Sequence, residues 1–87
     1  MGTFPEEELR KALANARYRC ECTRTNPDCL KRHDRYRCPV NGLTLGNRGT
    51  KWQAHHRTSQ AAGGKDIASN CEILCIPCHR ATRTFGG

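Results

Sequence analysis

The sequence predicts a small α+β domain that bound metal stabilises, and three observations lead to this fold class. The chain has 87 residues and only five aromatic ones, and it is little larger than the domains of below roughly 70–80 residues that seldom stabilise themselves with a hydrophobic core alone. It carries seven cysteines and four histidines, the side chains that bind transition metals best near neutral pH. Its hydrophobic pattern has a helical period near the start and alternates, as a strand does, in the second half.

The cysteines favour metal thiolates over disulfides. Their number is odd, and the first residues run into Pro-Glu-Glu-Glu instead of the apolar stretch of a secretory signal. Zinc thiolates in a reducing cytosol therefore fit better than the disulfides of a secreted domain. No run approaches the ~18 apolar residues of a membrane span. We expect a cytoplasmic domain without a membrane segment.

The net charge of +7 belongs almost entirely to the cysteine- and histidine-bearing part of the chain. Residues 1–19 hold four cations and three anions, whereas residues 20–87 hold eleven cations and five anions. Such an excess favours a phosphate-rich partner, above all a nucleic acid. The other interpretation of the same excess is a solvated surface.

Residues 3–19 are predicted to form an N-terminal helix. Thr3 and Glu6 match a capping box, Pro5 suits the first turn, and the glutamates there complement the helix dipole. A narrow apolar stripe follows on one face: Leu9, Ala12, Leu13 and Ala16. The stripe predicts a structural helix that docks onto the metal-binding part and adds little to the core.

Residues 20–48 are predicted to be an irregular, cysteine-rich zinc loop. Turn signals such as Asn26-Pro27 and Asn41-Gly42 interrupt this stretch, and apolar periodicity is nearly absent. Its basic residues either line a phosphate groove or only keep the loop soluble: Lys31, Arg32, Arg35 and Arg37.

Residues 50–85 are predicted to complete a single domain that spans residues 1–87. The elements follow in the order strand 50–57, loop 58–70, strand 72–74 and helix 78–84. Alternation around Trp52 indicates the first strand, Gly63-Gly64 breaks the chain after it, and the second strand pairs with the first in antiparallel fashion. Pro77 suits the opening of the helix.

Cys75 and Cys78 stand at a strand-to-helix junction with the spacing of half a tetrahedral zinc site. Two of four upstream cysteines must complete the shell: Cys20, Cys22, Cys29 and Cys38. The favoured pairs are Cys22 with Cys29 and Cys29 with Cys38. Because these six candidate cysteines outnumber the four ligands of one zinc ion, the sequence leaves open whether a second zinc ion binds or some thiols stay unligated. Cys71 is predicted to be a small buried hydrophobe.

One stretch of the second half resembles the HNH nuclease motif. The order and spacing of its parts carry the resemblance: Ala54-His55-His56, Gly63-Gly64, Asn70, then Leu74-Cys75 and Cys78-His79. The likeness covers roughly residues 50–80, and the helix and zinc loop before them match only loosely. It implies a treble-clef-like ββα-metal finger, in which a structural Zn²⁺ often lies beside the active site.

The resemblance also implies roles for four polar residues. His56 takes the place of the general base that deprotonates the attacking water, and Asn70 that of the asparagine that pins the loop and helps orient the base. His55 and His79 take the places of the two protein ligands of a catalytic divalent ion. The family commonly has an aspartate where His55 stands, so the lost negative charge favours Zn²⁺, Ni²⁺ or Mn²⁺ over a site tuned to Mg²⁺ alone.

These roles suit phosphodiester hydrolysis. An imidazole is a suitable base near neutral pH, and an ion with two protein ligands keeps positions open for the phosphate and the leaving oxygen. Adjacent strand residues point to opposite faces, so His55 and His56 can share one phosphate only if the strand ends or bulges there. The arginines close to the motif are predicted to hold the DNA backbone: Arg57, Arg80 and Arg83.

The predicted function is a divalent-metal-dependent DNA endonuclease, either of low sequence specificity or targeted by a protein partner. The resemblance implies products with 5′-phosphate and 3′-hydroxyl ends and a bacterial or phage setting. The alternative is a non-catalytic zinc module that binds nucleic acid, which would need the cysteines but not the four polar residues together. A zinc-knuckle adaptor for proteins is a third interpretation, which the positive charge disfavours. The sequence leaves the oligomeric state open.

Overall fold

Residues 4–23 and 37–81 are described by a computed structural model. Four elements follow along the chain: helix α1 (Glu6–Asn15), strand β1 (Trp52–His56), strand β2 (Cys71–Cys75) and helix α2 (Ile76–Arg80). Short 3-10 turns lie in the connections. The structure therefore has the predicted α+β composition and the predicted order of strand, loop, strand and helix. None of the described helices is long and apolar enough to cross a bilayer.

Helix α1 is shorter than the sequence predicted. Pro5 directly precedes it in an extended conformation (φ −57°, ψ 149°), and its carbonyl oxygen accepts the backbone N–H of Leu9 at 3.0 Å. The predicted cap at Thr3 lies outside the described residues. The helix ends before Arg17 and Tyr18 because both adopt left-handed backbone conformations, with φ of 57° and 59°.

Helix α1 contributes more to the core than the sequence predicted. The helix and the residues next to its two ends supply five of the fifteen buried hydrophobic residues in the described part of the chain: Phe4, Leu9, Ala12, Leu13 and Ala16. The helix packs on β2 and on the 3-10 turn before it. The prediction that the helix adds little to the core was wrong. Two members of its apolar face are alanines, whose small side chains made this face look narrow in the sequence but are buried in the structure.

Strands β1 and β2 form an antiparallel hairpin with an unbroken register. Trp52 pairs with Cys75 at one end, and His56 pairs with Cys71 at the other. Because side chains alternate between faces, His55 and His56 project to opposite faces. The ladder has no bulge, but β1 ends at His56. The sequence required either a bulge or the end of the strand at this point for both histidines to serve one phosphate, and the structure has the end of the strand.

Trp52 lies in the centre of the core. Its side chain is fully buried, and its indole Nε1–H donates a hydrogen bond of 2.6 Å to the carbonyl oxygen of Thr44. A buried indole needs such a partner, since an unsatisfied donor would be costly away from water. Trp52 therefore ties the segment before the hairpin to β1 as a packing residue.

The described pieces of the cysteine-rich segment contain no helix or strand between residues 20 and 40, as predicted, but they are paired through their backbones. The two pieces lie side by side, joined by two hydrogen bonds of 2.8 Å: Cys20 N–H to Val40 O, and Cys38 N–H to Cys22 O. The backbone N–H of Glu21 donates to the carbonyl oxygen of Ile73 at 2.7 Å, and Glu21 Oε1 accepts the N–H of Ile73 at 2.9 Å. These bonds place the cysteine-rich pieces beside β2.

Arg37 has a structural role that neither interpretation of the sequence included. Its guanidinium donates to the carbonyl oxygens of Arg19 at 3.1 Å, Cys20 at 2.8 Å and Ala16. Carbonyls at the end of a helix lack partners within it, and a cation there is favourable. Arg37 therefore fixes the chain between α1 and Cys20. The three other basic residues for which the sequence left the two interpretations open lie outside the described part: Lys31, Arg32 and Arg35.

Candidate functional site

Four cysteines converge in the described part of the chain. Their Sγ atoms all lie within 4.8 Å of one another, and their side chains are buried: Cys20, Cys38, Cys75 and Cys78. Two come from the paired pieces of the cysteine-rich segment, and two come from the junction of β2 and α2. This group is called the cysteine cluster below.

The cysteine cluster differs from both pairs that the sequence favoured. It joins Cys20 with Cys38, whereas Cys22 is buried elsewhere and Cys29 lies outside the described residues. Backbone pairing selects the combination, because it sets Cys20 and Cys38 beside β2, where the N–H of Cys75 donates to Cys20 Sγ at 3.3 Å. None of the six described cysteines forms a disulfide.

The donor set of the cysteine cluster fits a tetrahedral metal ion. Sulfurs bound to one zinc ion at about 2.3 Å lie about 3.8 Å apart, within the spread observed here. The hydrogen bond from Cys78 lowers the pKa of Cys20 to about 5, whereas burial raises the pKa of Cys75 and the bond to Cys20 raises that of Cys78. Buried cysteine side chains gathered in this way are suited to a cation, which displaces thiol protons when it binds.

His55 and His79 meet at a second location. Their ring centroids are 5.7 Å apart with the rings 73° from parallel, and the residues are 4% and 9% exposed. His55 comes from the end of β1 and His79 from α2. Burial lowers the pKa of His79, which favours the neutral ring whose lone pair can bind a metal. This group is the histidine pair.

His56 has different neighbours. Its ring stacks on Phe4 with centroids 4.2 Å apart, and its Nε2 lies 2.8 Å from Oδ1 of Asp66. The same carboxylate oxygen accepts a hydrogen bond of 3.1 Å from Gln60 Nε2. His56 is only 7% exposed, so the imidazole that the sequence assigned as a base is held by an aromatic ring and a carboxylate.

Asn70 pins the loop between the strands. Its side-chain amide donates to the carbonyl oxygens of Thr58 at 3.0 Å and Lys65 at 2.9 Å, and its Oδ1 accepts the N–H of Thr58 at 2.7 Å. The loop also needs a glycine at position 64, because a Cβ there would collide with the Thr58 carbonyl. These contacts are those expected of a residue that fixes the loop after His56.

The arginines near the motif are placed differently from one another. Arg57 bridges two carboxylates, with 3.0 Å to Glu21 Oε2 and 3.6 Å to Glu72 Oε2. Arg80, at the end of α2, is exposed. Arg83 lies outside the described residues. The structure thus pairs Arg57 with two carboxylates of its own chain while its side chain stays 44% exposed, and Arg80 lies at the surface.

Three carboxylates near the site were not identified from the sequence: Glu21, Asp66 and Glu72. Glu72 is 4% exposed and pairs with His55 across the hairpin. The strict alternation of β1 and β2 was the signal that could have placed it on the face of His55. No comparable signal exists for Glu21 or Asp66, because both approach through loops.

Comparison with known families agrees with this geometry. A family model described as HNH endonuclease matches residues 28–84, which is more than half of the chain. The chain belongs to the HNH endonuclease family. No curated protein and no solved structure was found to match it.

Membership of the HNH family extends the likeness beyond residues 50–80. The matched region begins at residue 28 and so includes Cys38 of the cysteine cluster. HNH nucleases act on DNA with the help of metal ions, and the described residues of this HNH chain include one group able to hold a metal, the cysteine cluster, besides the histidine pair. The cysteine cluster is closed and buried, whereas the histidine pair contributes only two protein donors.

Proposed function

We propose that this HNH domain is a divalent-metal-dependent DNA endonuclease that hydrolyses phosphodiester bonds. The observation that carries the proposal is the meeting of His55 and His79 at 5.7 Å between ring centroids. Two buried imidazoles brought together from a strand end and a helix are suitable metal ligands. The position of both residues within the matched HNH region supports the same conclusion.

The histidine pair is the proposed holder of the catalytic ion. Nitrogen–metal bonds are about 2.0–2.1 Å long, and ring centroids 5.7 Å apart are close enough for both imidazoles to reach one ion. When bound, the ion neutralises charge on the phosphate and on the leaving oxygen. Two neutral nitrogen donors favour Zn²⁺, Ni²⁺ or Mn²⁺ over Mg²⁺. Ligation by two side chains also leaves room for the substrate.

His56 is the proposed general base. It directly follows His55 at the point where β1 ends, which is the place where two adjacent histidines can serve one phosphate. A positioned base contributes ~10²–10⁴-fold to the rate. Asn70 assists from a distance, because it fixes the loop on both sides of Gly63-Gly64 through Thr58 and Lys65.

The cysteine cluster is the proposed structural zinc site. Four thiolates complete a tetrahedral shell and leave no position for a substrate, which is typical of structural zinc. The zinc ion would join the cysteine-rich segment to the β2–α2 junction and so complete a treble-clef-like ββα-metal finger. Because the chain is small, this bond would supply much of its folding free energy.

DNA is the proposed substrate, bound without extensive base recognition. The chain carries a net charge of +7, and positive surfaces bind phosphate chains of any sequence. Arg80 is exposed one residue after His79 and is suited to a phosphate contact. We propose that sequence preference is low or comes from a protein partner.

The test is cleavage of supercoiled plasmid by protein whose cysteine cluster is loaded with zinc. Chelator-treated samples would receive Mg²⁺, Mn²⁺, Ni²⁺ or Zn²⁺ in turn, and nicked and linear products would be separated on a gel. We expect cleavage that depends on the added ion and disappears in His79→Ala. His33→Ala is the matched control, since it removes a histidine outside the motif.

The same experiment separates the enzyme from a non-catalytic zinc module that binds nucleic acid. Such a module would shift plasmid mobility in a salt-dependent way and release no nicked product with any ion. It would also behave identically in wild type and His79→Ala. That result would remove the nuclease assignment and leave only the cysteine cluster with a role.

A further inference from the structure

The carboxylate of Asp66 contacts His56 in a fixed geometry. Its Oδ1 lies 2.8 Å from His56 Nε2 and also accepts the amide of Gln60 at 3.1 Å. Phe4 stacks on the same imidazole, 4.2 Å away and 24° from parallel. The ring is therefore held along one edge by a carboxylate and over one face by an aromatic ring.

The loop that carries Asp66 is itself anchored. Asn70 binds the carbonyl oxygen of Lys65, the residue before Asp66, at 2.9 Å. The N–H of Ala68 donates to Glu8 Oε1 of helix α1 at 3.0 Å. Asp66 thus lies between two points that are fixed to the rest of the fold, so its carboxylate reaches His56 from a defined direction.

We propose that Asp66 is a positioning residue that holds His56 as the tautomer with hydrogen on Nε2. An ionised carboxylate accepts hydrogen bonds and donates none, so it selects the ring form in which Nε2 is the donor. The lone pair of that neutral ring then resides on Nδ1, which becomes the atom that takes the proton from water. The catalytic part of this inference rests on the proposed function.

Asp66 also supplies a negative charge beside the base. When His56 takes a proton, the nearby carboxylate stabilises the imidazolium that forms, and it does so without leaving its place. The side chain of His56 is 7% exposed, and that of Asp66 is 35% exposed. Because the imidazole is buried, the contact between His56 and Asp66 is held more firmly than an ion pair between two solvent-exposed side chains.

The first test reads the tautomer directly. Zinc-loaded protein labelled with ¹⁵N would be studied by long-range proton–nitrogen correlation of the histidine rings, at a pH where His56 is neutral. We expect wild-type His56 to show a protonated Nε2 and an unprotonated Nδ1, and Asp66→Ala to show a mixture. Glu7→Ala is the control, because it removes an exposed carboxylate from α1 without contact to His56. An unchanged tautomer in Asp66→Ala would overturn the proposal.

The second test reads catalysis with the same variants. We expect Asp66→Ala to lower kcat about 10–100-fold while KM changes little, as for other residues that orient a reacting group. Asp66→Glu should recover part of kcat, whereas Glu7→Ala should match wild type. A wild-type kcat in Asp66→Ala would overturn the catalytic part of the proposal even if the tautomer changed.

The two readouts also separate this inference from the proposed function. If wild type cleaves no DNA with any ion, the nuclease assignment fails, and the tautomer experiment still decides whether Asp66 positions His56. A folding defect is recognised by comparing the amide spectra of Asp66→Ala and Asp66→Asn. Asp66→Asn keeps a hydrogen-bond acceptor of the same size without the charge, so it should keep more of the tautomer than Asp66→Ala.

Discussion

The backbone N–H of Cys75 donates a hydrogen bond to Sγ of Cys20 at 3.3 Å, across 55 positions of the chain. This bond joins the start of the cysteine-rich segment to the junction of β2 and α2. It identifies Cys20 as the sulfur around which the cysteine cluster is arranged, since Cys78 also donates to it. The cysteine-rich segment and the β2–α2 junction are therefore joined at one buried point.

The cysteine cluster predicts that two fully buried cysteines respond differently to the same substitution. Cys38→Ala should abolish stoichiometric zinc binding and unfold or strongly destabilise the domain, because metal binding and folding are coupled. Cys22→Ala should retain zinc and lose only about 1 kcal/mol of stability, as a small truncation in a core does. Zinc content per chain and thermal unfolding by circular dichroism measure both effects. Equal zinc contents in the two variants would contradict the cluster.

Chelators should distinguish the two proposed metal locations. A moderate chelator is expected to stop DNA cleavage while the far-ultraviolet circular dichroism spectrum stays native, because only the two-histidine ligation is weak enough to be stripped. A chelator strong enough to compete with four thiolates should unfold the chain. Titration with each chelator, followed by activity and circular dichroism together, makes the measurement. Simultaneous loss of activity and structure at every chelator strength would mean that one site serves both purposes.

The histidine pair predicts which substitutions weaken binding of the catalytic ion. His55→Ala and His79→Ala should each lower the affinity of zinc-loaded protein for added Mn²⁺ or Ni²⁺ by at least about 10-fold, since each removes one of two protein ligands. His56→Ala should leave that affinity nearly unchanged and lower kcat. Isothermal titration calorimetry of the three variants compares them directly. Weaker ion binding in His56→Ala than in His79→Ala would exchange the roles of the two residues.

The sequence predicted those parts of the fold that local patterns determine. Alternation around Trp52 and the proline at position 77 predicted the hairpin and α2, although β1 is shorter and β2 longer than expected. The predicted meeting of His55 and His79 depended on the resemblance to the HNH motif, and the structure brings them together. Within the described residues, the hairpin and the helix carried the strongest local signals.

Contacts between distant segments could not be predicted. The choice of Cys20 and Cys38 depends on backbone pairing between two pieces of an apparently irregular segment. The ion pair between Arg57 and Glu21 spans 36 positions, and a basic residue beside a nuclease motif gives no sign that it pairs with carboxylates of its own chain. Stacking of Phe4 on His56 likewise depends on where α1 packs.

The two described arginines near the motif should differ in what they contribute. Arg57→Ala should destabilise the domain by about 1 kcal/mol, because it removes the partly exposed cation that bridges the carboxylates of Glu21 and Glu72. Arg80→Ala should leave the unfolding midpoint unchanged and weaken DNA binding, lowering the slope of log K against log salt by about 1. Thermal unfolding and fluorescence anisotropy at several salt concentrations separate the two. An unchanged salt slope in Arg80→Ala would exclude its phosphate contact.

Cys71 predicts a pH dependence of stability that is separate from the metal sites. Burial, with the nearby Glu21 carboxylate adding to it, raises the pKa of the Cys71 thiol to about 12, whereas an unfolded cysteine has a pKa of about 8.5. The folded state therefore keeps its proton above pH 8.5 while the unfolded state loses it. The contribution of the Cys71 thiol to the free energy of unfolding is therefore complete below pH 8.5, and it falls by about 1.4 kcal/mol per pH unit as the pH rises towards 12.

Comparison with Cys71→Ala isolates this effect, because both proteins share the cysteine cluster. The difference in unfolding free energy between wild type and Cys71→Ala should be constant from pH 6 to 8 and should shift against wild type above pH 9. The native thiol should also react slowly with iodoacetamide at pH 8, since the thiolate is the reactive form. Rapid alkylation of Cys71 in the native protein, located by mass spectrometry, would show that its thiol is not protected as the structure requires.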